Sequence, residues 1–94
     1  MQKEVKTLII EVNGIPTEFY AFLGYEGTKE YVVVCIMENG VQKNIIRLAL
    51  KFNTLISLPA DKKIDEGISI CKERGYFNNI LEIMESGIAI EDFF

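Results

Sequence analysis

Two Asn-Gly dipeptides, Asn13-Gly14 and Asn39-Gly40, constrain this chain more than any other feature. Both residue types tolerate the positive φ that a two-residue type I′ turn demands at its two central positions, and each dipeptide lies between extended, apolar-rich segments. Residues 4–12 alternate, with Leu8, Ile10 and Val12 on one side and Val5, Thr7 and Ile9 on the other. Pro16 follows the first turn and places the second strand at about 17–23, starting where a missing amide is tolerated. Gly24-Tyr25-Glu26-Gly27-Thr28-Lys29 reads as a loop. The β-branched run Val32-Val33-Val34 marks a third strand over 30–38, and a fourth runs from Val41 to about Leu50, extending toward Leu58 if the apolar pattern continues. Residues 46–57 also fit a helix, because Arg47, Lys51 and Thr54 recur at helical spacing.

Hairpin register turns these strands into faces. A two-residue turn at Asn39-Gly40 pairs Val33 with Ile46 and Tyr31 with Leu48, and the turn at Asn13-Gly14 pairs Leu8 with Phe19 and Ile10 with Thr17. Those residues, with Ala21 and Leu23, form the face expected to receive helices. The opposite face collects Val5, Ile9, Tyr20, Phe22, Val34, Ile36 and Ile45, mixed with Lys43 and Arg47. It is too apolar to be left in water.

Helical periodicity begins after Pro59, with Asp61 as the expected N-cap. Ile64, Gly67, Ile68 and Cys71 share one side, and Gly67 inside that pattern implies close packing against the sheet. Gly75 suits the position just past a helix end. A second helix is expected over 78–86 with Ile80, Leu81 and Met84 inward, ended by Gly87. The tail Ile88–Phe94 is apolar apart from Glu91 and Asp92. The predicted class is α+β: an antiparallel four-stranded sheet of two hairpins, then two short C-terminal helices. Its 94 residues make a single domain, with 1–58 as the sheet part and 59–94 as the helical part.

Residues 51–87 resemble the ribbon-helix-helix family of DNA-binding proteins. Lys51–Pro59 is similar to the ribbon strand, and Gly75-Tyr76-Phe77-Asn78-Asn79 to the turn into the second helix. The resemblance implies that Lys51, Asn53, Leu55 and Ser57 face bases and that Asn78 and Asn79 touch phosphate. Charge opposes it. Residues 51–94 carry five basic against eight acidic side chains, so −3 of the net −4 lies in the half that would meet DNA. Nucleic acid is therefore not the expected partner.

Other chemistries are excluded more directly. The chain has no His, which removes the commonest general base and metal ligand. Two separated cysteines, Cys35 and Cys71, make no zinc site and read as reduced core thiols. Ser57, Ser69 and Ser86 lack a nucleophile context. The Gly24–Lys29 segment is too short for a phosphate loop and leads into a strand. Asp61 with Asp65, and Glu82 with Glu85, read as solvated helix surface. No catalytic residue, cofactor or metal is expected. No apolar run approaches the roughly 18 residues of a membrane span, nor does Met1–Lys6 carry the apolar stretch of a signal peptide, so a cytoplasmic protein is expected.

What remains is binding. A small acidic module that occludes or sequesters a partner fits these residues, as phage and mobile-element inhibitors of host defence do. An oligomeric binder of a small signalling molecule is the other non-DNA alternative. The acidic balance points to a protein partner with a basic surface, such as a nucleic-acid-handling protein. Two segments join aromatics to acids: the Tyr25-Glu26 loop and the Glu91-Asp92-Phe93-Phe94 tail. They are the expected contact residues. The second apolar sheet face predicts a homo-oligomer, most simply a twofold dimer, with Tyr20, Phe22, Val34 and Ile36 in the contact. A tail folded across that face is the monomeric alternative.

Overall fold

The structure is a computed structural model and describes residues 4–50 and 58–93. Strands β1 (Val5–Val12), β2 (Ile15–Glu26), β3 (Lys29–Glu38) and β4 (Val41–Ala49) follow one another as antiparallel hairpins. Helix α1 (Ala60–Glu73), a 3₁₀ turn (Tyr76–Asn79) and helix α2 (Ile80–Ser86) lead to β5 (Ile90–Phe93). The tail is a strand, paired parallel to β4 with Ile46 opposite Ile90 and Ala49 opposite Phe93. The class is α+β as expected, but the sheet has five strands and is mixed, in the order β1-β2-β3-β4-β5. A return from β4 to a parallel neighbour needs a long crossover, and the helices supply it.

Both Asn-Gly turns form as read. Asn13 and Gly14 have φ of 55° and 80°, and Asn39 and Gly40 have 54° and 78°. The predicted loop over 24–29 does not. β2 runs through Pro16 to Glu26, and β3 starts at Lys29, leaving Gly27-Thr28 as a third two-residue turn. Gly27 alone has positive φ there, the pattern of a type II′ turn.

That unread turn, with one bulge, reassigns the faces. The β2–β3 register sets Val34 opposite Ala21 and Val32 opposite Leu23, so Val32 and Val34 share the face of the buried β2 residues. On β4 the register slips between Val34 and Cys35: Cys35 pairs with Asn44, but Val34 pairs with Ile46. Ile45 is the extra residue of a β-bulge, and both Ile45 and Ile46 enter the core. Val34, Ile36 and Ile45 are therefore not on the open face; they are buried beneath the helices. Val33 and Tyr31, expected under the helices, lie on the other side, opposite Arg47 and Ala49.

Helix α1 packs on β2 and β3, and α2 on β4. Ile64, Gly67 and Cys71 are the buried positions of α1, at the predicted spacing. A β-carbon on Gly67 would lie 2.7–2.8 Å from three atoms of the Val32 side chain, so only glycine lets the helix backbone come this close. α1 begins one residue before Asp61: Pro59 takes the N-cap place with no side-chain cap, and its carbonyl accepts from Lys62 and Lys63 N–H at 3.1 Å. In α2 the buried residues are Ile80 and Ile83, whereas Leu81 is exposed. The 3₁₀ turn ahead of α2 rotates its inward face from the one a continuous helix from Asn78 implies.

Candidate functional site

Strand pairing brings together two segments that are 65 residues apart in the chain, Glu26 and Glu91. Arg47 of β4 lies between them, donating from Nη2 to Glu26 Oε2 and from Nη1 to Glu91 Oε1, each at 2.8 Å. Its guanidinium sits 4.6 Å from the centre of the Tyr31 ring, a cation–π arrangement. The hydrogen bond to Glu26 above all, helped by the charges of Glu91 and Glu26, holds the guanidinium more firmly charged than usual, against the opposing effect of burial.

The other predicted contact residues separate. Asp92 turns toward the helices, accepting from Arg74 Nη1 at 2.9 Å and from the Tyr76 hydroxyl. Arg74 also donates to the Phe93 carbonyl at 2.8 Å. Tyr25 is exposed at the end of β2, opposite Glu30; hydrogen bonding to Glu30 raises its phenol above the ordinary value, with burial adding to the effect. The Phe93 side chain is exposed, and Phe94 lies outside the described residues. Three of the acids expected to face a partner, Glu26, Glu91 and Asp92, are thus matched by arginines of the same chain. The cluster clasps β5 to β4 and to the end of α1.

Of the residues expected in an oligomer contact, Tyr20 and Phe22 lie on the face away from the helices, and Val34 and Ile36 do not. Tyr20 donates its hydroxyl to Glu18, which raises its phenol. With Val5, Cys35, Met37 and Gln42 these two aromatics line a shallow apolar depression of about 270 Å³. Both cysteines are free and buried; burial pushes the Cys71 thiol up to about 11 and the Cys35 thiol above its ordinary value. Neither has the lowered pKa of a reactive thiol.

A groove that sequence reasoning missed lies where the β1–β2 turn meets the 3₁₀ turn and α2. It measures about 370 Å³, and its lining includes Glu11, Asn13, Asn78, Asn79, Leu81 and Glu82. Among the described residues no basic one lines it. Neither Glu11 nor Glu82 has an ion-pair partner among the described residues. Leu81 is 47% exposed at its wall, and the lining joins three asparagines and the acids Glu11 and Glu82 to the apolar Val12, Phe77, Ile80 and Leu81. Asn78 and Asn79, which the ribbon-helix-helix resemblance sets against phosphate, stand beside these two acids, an environment that disfavours an anion. The ribbon segment of that resemblance, residues 51–57, lies outside the described residues. The ribbon-helix-helix resemblance sets Asn78 and Asn79 at the turn into the second helix; only the tertiary fold brings Glu11 into the same groove.

Among the described residues no cluster of three or more metal-ligating side chains occurs, and no helix is long and apolar enough to cross a membrane. The chain matches no family model, no curated protein and no solved structure.

Proposed function

We propose that this protein is a non-enzymatic acidic binding module that takes a basic segment of a protein partner into the groove between the β1–β2 turn and α2, and so occludes it. The observation that carries this reading is the lining of that groove, with Glu11, Glu82 and three asparagines and no basic residue among those described. An arginine or lysine entering it would meet Glu11 and Glu82 without first displacing an internal partner, unlike at Glu26, Glu91 or Asp92. Leu81 adds the apolar contact that a long basic side chain covers with its methylenes. Basic segments are what nucleic-acid-handling proteins expose, so a protein of that class is the target we favour, in the manner of an inhibitor that masks a nucleic-acid-binding surface.

The test is titration of the purified chain with a fluorescent arginine- and lysine-rich peptide, beside a peptide of the same length with glutamates in those places. The basic peptide should bind with an affinity that falls as salt rises. Glu82→Lys together with Glu11→Lys should weaken it at least tenfold while leaving the melting temperature within a few degrees. Equal binding by both peptides, or an unaffected double variant, would sink the proposal. A gel shift of random duplex DNA at low salt would replace it with the DNA-binding reading.

A further inference from the structure

The sheet has two edges, and the chain treats them differently. β5 is four residues long, contains Glu91 and Asp92, and has its main chain clasped by Arg74. Short, charged edges resist pairing with another chain. β1 is eight residues long, and its register against β2 is uninterrupted, without bulge, proline or glycine. Its only charged residues are Lys6 and Glu11, so within a chain of net charge −4 this edge is neutral. Lys6 is drawn away to Asp65 of α1 at 2.5 Å.

The main-chain polarity of that edge follows from the turn. A type I′ hairpin makes Val12 and Ile15 a hydrogen-bonded pair, so Val12, Ile10, Leu8 and Lys6 direct their N–H and C=O toward β2. Val5, Thr7, Ile9 and Glu11 direct theirs outward, where no described residue receives them. Val5 and Ile9 are 49% and 61% exposed. On the helix side, Leu8, Ile10 and Val12 are only half-buried at the margin of the core, because α1 and α2 lie over β2, β3 and β4.

We propose that β1 pairs antiparallel with β1 of a second copy across a twofold axis, joining two sheets into one of ten strands. The register is restricted. Residues directly opposite each other must lie on the same face, so the axis passes through a residue of β1 and not between two. Centring it on Leu8 makes Val5 face Glu11 of the second copy, and Thr7 face Ile9. All outward N–H and C=O groups of these four residues are then paired in both chains. Leu8 meets its own counterpart, and the half-buried Leu8, Ile10 and Val12 of both copies extend one continuous apolar layer. A neutral, unguarded edge suits a second copy of this acidic chain, because strands with no net charge meet while the acids stay apart.

Light scattering at increasing concentration should give twice the 10.7 kDa chain mass. Ile9→Pro removes an outward N–H that β2 does not use, so it should yield a monomer with an unchanged circular dichroism spectrum. Leu8→Cys places two thiols at a non-hydrogen-bonded pair with α-carbons about 4.5 Å apart, within disulfide reach. It should crosslink the dimer under mild oxidant, while the buried native cysteines do not. Wild-type protein that stays monomeric overturns the proposal. So does a dimer that survives Ile9→Pro, or a dimeric Leu8→Cys chain that does not crosslink. Should Ile9→Pro fail to fold, the crosslink decides alone.

Discussion

On the helix-covered face Phe19, Val32, Ile46, Leu48 and Ile64 have no exposed surface, while on the opposite face Val5, Ile9 and Met37 keep 48–61% of theirs. The first face is organised by shape. Gly67 against Val32, the two isoleucines of the bulge, and Phe19 beside Phe77 at 6.5 Å leave little space for an added atom. The second is organised by charge and pairing, with Arg47 shared between two strands and stacked on a third. Close packing tolerates almost no change of volume, whereas half-exposed ion pairs exchange readily with water. The two faces should therefore answer substitution on different scales.

The largest contrast is expected at Gly67. Gly67→Ala gains helix propensity of up to about 1 kcal/mol yet forces the Val32 side chain to move, and overpacking of this kind costs roughly 1–3 kcal/mol. Urea unfolding should show a net loss, and adding Val32→Ala should give a coupling that returns part of it. Strict additivity of the two substitutions would break the picture of a shape-limited face.

Titration sharpens the same contrast. The Cys71 thiol is raised by burial to about 11 from an ordinary 9.0, so folding favours its protonated form. Its stabilising contribution is complete below pH 9 and is lost as the pH climbs toward 11, because the unfolded chain releases that proton first. Thermal unfolding at intervals from pH 8 to 11 should show a falling melting temperature, with a shallower slope in Cys71→Ala. Equal slopes would mean that this thiol is not governed by the packed face.

The smallest effect is expected at Arg47. Arg47→Met removes both ion pairs but keeps an apolar stem over Tyr31. The melting temperature should fall by no more than a few degrees, and 0.5 M salt should narrow the gap from wild type. A collapse of the fold would show that the outer face depends on charge as strongly as the inner one does on shape.

The chain by itself determined what is local. Positive φ at Asn-Gly placed two turns, the 3.6-residue spacing of Ile64, Gly67 and Cys71 marked one face of α1, and Gly75 and Gly87 marked helix ends. Gly67 also signalled close packing before its neighbour was known. What the sequence left open depended on contacts between distant residues. A one-residue bulge at Ile45 moves side chains across the sheet, yet Ile45-Ile46 reads as an ordinary apolar pair, and Gly27-Thr28 is a weaker turn signal than Asn-Gly. The tail reads as an apolar appendage, because four residues become a parallel strand only when β4 presents an edge to them. The groove had no local signature at all: Glu11 and Glu82 come to line one cleft only after the sheet and α2 have packed. Local backbone preference is written residue by residue, but register, face and cleft are long-range agreements that only the folded chain can make.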